Sequence, residues 1–188
     1  MKYKFGFYFI LILILSTCQK DDAENCVAAS MYYKTGSAVH CLHHGYIFHN
    51  GTWLNFESTY RIDLIFTNDD VIYNQIDSVF SKVGDALNFS VLCNTQNLYL
   101  GTYQFDSFAL NANIVGAGHY ENYDFTQKNN LSNLDHLPGN FANITSGSLT
   151  ISKNNDKKYA IRFSCLDEKD DSITGQYVGN LSYIETSN

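Results

Sequence analysis

Apolar and polar residues alternate at period two through most of the chain, the signature of strands with one face in a core and the other in water. In Tyr60 to Thr67, Tyr60, Ile62, Leu64 and Phe66 share one face while Arg61 and Asp63 take the other. The same alternation runs through Leu87, Phe89, Val91 and Cys93 and through Tyr159, Ile161, Phe163 and Cys165. It places both cysteines in the core as small apolar side chains. Gly101 to Asp106 adds a strand, and Phe108 to Tyr120 holds another with less regular alternation. Asn50-Gly51 lies between two aromatic-bearing runs and predicts a hairpin turn, because both residues tolerate positive φ. Towards the C-terminus, Asn154-Asn155-Asp156 and Asp167 to Asp171 divide three strands of a meander. The last of these carries Ile173, Gly175, Tyr177, Gly179, Leu181 and Tyr183 on one face. Eight or so short strands predict an all-β fold, an antiparallel β-sandwich or alternatively a small lipocalin-like β-barrel, with long loops and at most one short helix.

Two segments depart from the alternation. Ile72, Ile76, Val79, Phe80 and Val83 stand at helical spacing between Asp69-Asp70 and Gly84, which predicts a short amphipathic helix, while Val71 to Asn74 equally fits a strand followed by loop. Glu121 to Asn140 is polar, rich in Asn and holds the single proline, Pro138, so it reads as a long loop.

The N-terminus changes the picture. Lys2 and Lys4 precede an apolar run of eleven residues, Phe5 to Leu15, which fits the charged and apolar regions of a secretory signal and is too short to span a bilayer. Leu15-Ser16-Thr17-Cys18 resembles the lipobox of bacterial lipoproteins, with Thr17 where Gly, Ala or Ser is usual. That resemblance implies a leader of residues 1–17, a lipidated Cys18 and attachment to a membrane through several acyl chains, each buried methylene adding roughly 0.8 kcal/mol. Gln19-Lys20-Asp21-Asp22 resembles the acidic export signal of Bacteroidetes surface lipoproteins, which implies the outer face of the outer membrane; as plain chemistry it is a solvated anionic tether. Residues 18–31 read as the tether and 32–188 as one β-domain, since 171 mature residues suit a single core.

Further along, "NGTWLNFESTYRIDLIFTND", "LGTYQFDS", "SGSLTISKNNDKKYAIRF" and "ITGQYVGNLSY" are similar to strand-and-turn elements of uncharacterised Bacteroidetes surface lipoproteins. The likeness covers most of residues 45–185. It implies an all-β lipoprotein and carries no catalytic residues.

Charge narrows the partners. Removing Lys2 and Lys4 with the leader leaves ten basic residues against nineteen acidic, taking the net charge from −7 to −9, so nucleic acid is not an expected partner. With Cys18 acylated, four of the five cysteines keep free thiols, Cys26, Cys41, Cys93 and Cys165, and an oxidising compartment permits Cys26 and Cys41 to pair without requiring it.

His40, His43, His44 and His49 beside Cys41 form the sharpest cluster of metal-ligating types, yet "HCLHH" lacks the glutamate of the zinc-protease motif. No cofactor is expected, and structural or solvated histidines are the preferred reading. Asp69-Asp70 and Asp167 to Asp171 lack the oxygen-ligand spacing of a calcium loop and read as turns. No Gly-x-Ser-x-Gly elbow occurs. Trp53, Tyr120 and Tyr123 are candidates for stacking on sugar rings, with core packing as the alternative. Asp77-Ser78-Val79 and Asp171-Ser172-Ile173 match the pattern at which exported Bacteroidetes proteins are O-glycosylated. The function expected is a surface-anchored binding or structural role, its partner a glycan or a surface protein. Three alternatives stand beside it: a zinc hydrolase, a glycoside hydrolase with paired carboxylates, and a barrel carrying an apolar ligand.

Overall fold

A computed structural model describes residues 18–52, 58–105, 112–125 and 140–184. The expected leader, Trp53 and Pro138 lie outside the described residues. Among the described residues, one helix, α1 (Cys18–Ala28), leads into thirteen strands: β1 (Met31–Thr35), β2 (Ala38–Cys41), β3 (His44–Thr52), β4 (Tyr60–Thr67), β5 (Tyr73–Asn74), β6 (Val79–Phe80), β7 (Val83–Cys93), β8 (Gly101–Gln104), β9 (Asn113–Asp124), β10 (Asn140–Lys153), β11 (Tyr159–Asp167), β12 (Ser172–Gly179) and β13 (Ser182–Ile184).

Eleven strands form one sheet in the order β13-β3-β4-β7-β9-β8-β10-β11-β12-β1-β2, and β5 and β6 form a separate hairpin. The fold is all-β, as the alternation predicts. The sandwich is made from a single curled sheet whose two halves face each other. The sheet bends at β10, whose first residues pair with β9 and whose later ones pair with β8. Gly147 sits at this bend with φ +118°, where a Cβ would collide with the Ser164 carbonyl. At the far edges the chain itself crosses between the halves. The Leu42 amide bonds to Met31 of β1 at 2.8 Å, and the next amide, of His43, bonds to Thr67 of β4 at 2.7 Å.

Inward-facing residues from both halves meet across one apolar core. Phe89 of β7 lies 5.5 Å from Phe163 of β11, ring centre to ring centre, and Phe66 of β4 lies 5.0 Å from Tyr177 of β12. Tyr33, Tyr103, Cys93 and Cys165 are buried in the same cluster, and neither cysteine is in a disulfide. A second, largely aromatic cluster lies on the outer face of β3, β4, β7 and β9, beneath the β5–β6 hairpin.

Several sequence expectations are corrected. Residues 71–83 form a hairpin with a turn and not a helix: Ile76 is 93% exposed, so the apolar residues do not share a buried stripe. The Asn74 side chain closes the turn, accepting from the Ile76 amide at 2.9 Å and donating to Asp77 at 2.7 Å. Asn50-Gly51 is not the hairpin turn. β3 continues to Thr52 opposite Tyr60, with a register shift between His49 and Thr52, and Gly51 uses its φ of +76° inside that irregularity. Strands also extend into both ends of the expected 121–140 loop, to Asp124 and from Asn140. The final strand divides at Asn180, and β13 joins β3 in parallel, leaving Tyr183 exposed and Ile184 buried. The expected tether holds α1, and its Cys26 is bonded to Cys41.

Candidate functional site

At one end of the sandwich, several inward-facing rows change from apolar to polar. On β1, Tyr33 is followed at i+2 by Thr35; on β7, Leu87 is preceded at i−2 by Asp85; on β9, Ala117 is followed by His119 and Glu121; on β11, Cys165 is followed by Asp167. Period two keeps each polar residue on the core-facing side, one step beyond the last apolar one. The strand register gathers them, with His40 of β2, into one network.

The network alternates carboxylate and imidazole. Asp85 Oδ2 lies 2.9 Å from His40 Nδ1, and His40 Nε2 lies 3.2 Å from Glu121 Oε1. Glu121 Oε1 accepts from the Thr35 hydroxyl at 3.0 Å and stands 3.7 Å from His119 Nδ1. On the other side of that ring, His119 Nε2 stands 3.8 Å from Asp167 Oδ2. Tyr33 stacks on His40 with ring centres 4.5 Å apart and donates its hydroxyl to the Tyr120 carbonyl at 3.2 Å.

The two histidines differ. His40 is held by the hydrogen bond to Asp85 and by its contact with the Thr35 hydroxyl. His119 is 8% exposed, and neither of its ring nitrogens has a hydrogen-bond partner. Burial pushes its pKa down, the carboxylates of Glu121 and Asp167 pull it up, and the net direction is down. Burial alone would raise Asp85 and Asp167, but partners outweigh it: His40 and the Asn122 amide hold Asp85 low, and the amides of Asp171 and Lys169, with His119, hold Asp167 low. Asp167 Oδ1 accepts from both of those amides at 2.8 Å.

Two clefts flank the network. One, of about 460 Å³, is lined by Thr35, His119, Glu121, Phe141, Asp167 and Lys169 among others. The other, of about 510 Å³, lies beside the Cys26–Cys41 bridge and is lined by His43, Asn68, Asp69, Asp70 and Asp85 among others.

The histidines of the 40–49 segment diverge. His40 points into the network, His43 and His44 approach Asp69 at 3.3 and 3.7 Å, and His49 stacks with Tyr183. Among the described residues no group of three or more His, Cys, Asp or Glu side chains is arranged to hold a metal ion. Tyr120 and Tyr123 are 2% and 4% exposed and pack on Phe125 in the outer cluster, so neither offers an open ring face to a sugar. Cys165 is buried and its thiol is pushed up to about 11, the wrong direction for a nucleophile.

No protein-family model matches the chain, and no curated protein or solved structure matches it. Function is therefore argued from the site alone. Asp85 and Asp167, held below the usual carboxylate range, remain charged acceptors at neutral pH. A glycosidase acid needs the opposite, a carboxyl kept protonated. His119 and Glu121 are hidden in the sequence by the irregular alternation of their strand; their places at i+2 and i+4 from Ala117 are the signal that marks them as inward-facing.

Proposed function

We propose that the protein is an exported lipoprotein, acylated on Cys18 and displayed on the outer face of a Bacteroidetes outer membrane, whose role is to bind a small polar ligand or a polar group of a larger partner. The observation that carries the binding role is the cleft of about 460 Å³ at His119, where a nine-tenths buried imidazole without hydrogen bonds meets charged carboxylates. The filled aromatic core weighs against a carrier of an apolar ligand, since the inward faces are spent on packing. The Cys26–Cys41 bridge supports export, because disulfides persist in oxidising compartments. It also shortens the leash: only the residues between Cys18 and Cys26 separate the acylated position from a residue fixed to the sheet.

The experiment is labelling of growing cells with a radioactive fatty acid. The wild-type protein takes up label and fractionates with membranes, and Cys18→Ala does neither. Label retained by Cys18→Ala would end the lipoprotein reading. Digestion of the wild type by protease added to intact cells checks the outward face; protection there would place it on the inner side.

A further inference from the structure

From the cleft at His119 we infer the chemical class of ligand: a primary ammonium group on an aliphatic stem. The inference rests on the binding role proposed above and goes beyond it by naming what is bound.

A neutral imidazole carries one N–H and one lone pair. At His119 both ring nitrogens face carboxylate oxygens, Glu121 at 3.7 Å and Asp167 at 3.8 Å, so whichever tautomer forms directs its lone pair at an anion. Neither approach is a hydrogen bond. The cleft wall is short of positive charge: Glu121, Asp167 and Asp171 stand against Lys169 alone. The deficit is met either by a proton on His119 or by a cation entering the cleft.

The shape of the deficit selects the cation. Sugar hydroxyls can donate to carboxylates but carry no charge and leave the deficit in place, whereas an ammonium brings a positive charge together with three N–H donors. A metal ion needs several ligands converging on one point, and no such set exists among the described residues. Half-buried Phe141, packed on Tyr120 with ring centres 4.8 Å apart, gives an apolar wall for the stem and a ring near the charge. Proton and ammonium therefore compete. Around His119, Glu121 of β9 and Asp167 of β11 favour its protonation, His40 of β2 opposes it, the Tyr33 ring of β1 lies edge-on at 6.4 Å, and Lys169 and Asp171 follow in the β11–β12 turn.

The test is a titration of the full-length protein in detergent, with histidine rings labelled with nitrogen-15, using n-butylammonium chloride at neutral pH. Sodium chloride of equal strength, methyl glucoside and calcium chloride are the comparison probes. Butylammonium should move the His119 resonances to saturation and lower the pH at which that ring titrates. Affinity should weaken about tenfold or more in Glu121→Gln, which removes a charge-assisted partner. It should tighten in Lys169→Gln, which removes the resident competitor and leaves the network intact. Equal affinity in wild type, Glu121→Gln and Lys169→Gln would overturn the assignment. Saturation by methyl glucoside or calcium with none by butylammonium would overturn the ligand class while leaving the binding role standing. Saturation by none of the three would remove both.

Discussion

The inner core and the outer aromatic cluster are both dry, yet they are built on different terms. The inner core draws residues from both halves of the sheet, most of them from alternating strand positions: Ile62, Leu64 and Phe66 on β4, Leu87, Phe89 and Val91 on β7, Ile161 and Phe163 on β11. The outer cluster uses positions that the same alternation assigns to water, Tyr46 and Phe48 on β3, Ile65 on β4, Ala86 on β7 and Tyr120 on β9. They are dry because a two-strand hairpin lies over them, with Phe80 meeting Tyr46 at 5.3 Å and Tyr73 at 5.1 Å. A sheet face is wet only where no later segment of chain covers it. The inner core therefore belongs to the whole fold, and the outer cluster to a local flap.

The largest effect that separates the two should come from Phe89→Ala. Phe89 is fully buried and clamped between sheet halves that cannot close on the void, so the loss should fall near the upper end for such changes, about 4–5 kcal/mol, read by denaturant unfolding. Phe80→Ala should cost less, about 3 kcal/mol, because a short hairpin settles into the space it leaves. It should also speed amide exchange in residues 71–83 while sparing β7 and β11, whereas Phe89→Ala should lower protection throughout the sheet. Equal exchange profiles for the two variants would erase the distinction between fold and flap.

The same contrast explains what was legible in the sequence. Period two revealed the inner core, the meander and the buried Cys93 and Cys165, because those depend on a residue's own strand. The outer cluster was hidden, since burial of Ile65 depends on Val71 and Phe80 arriving over it. The helical spacing of Ile72, Ile76 and Val83 misled for the same reason: these three are 47%, 93% and 50% exposed, and the segment's buried residues are Val71 and Phe80. At the candidate site, the local density of "HCLHH" does not carry into the fold: His40 enters the network, while His43 and His44 lie beside Asp69. Asp85, His40, Glu121, His119 and Asp167 are spread over four strands, and only the register brings them together. The Cys26–Cys41 pair stood open in the sequence because it needs α1 lying beside β2.

The smallest effect sharpens the comparison from the side of charge. The inner face ends in titrating groups on the acid side, and the outer cluster does not. His119 has its folded-state pKa lowered, so below about 6.5, the ordinary histidine value, the unfolded chain takes up a proton that the folded one resists. Stability falls with pH from there until the folded imidazole protonates as well. Asp85 and Asp167 are also lowered, so the stability they supply is present above about 3.9 and is lost as pH drops through their folded values. Tyr46 and Tyr123 of the outer cluster are raised, so their contribution stays intact through acid and is lost only above about 10. Melting temperature followed downwards from pH 8 should therefore decline in two stages, and His119→Gln should remove the first while keeping the second. A wild type as flat as His119→Gln across the histidine range would show that the imidazole pays no penalty for its unbonded place.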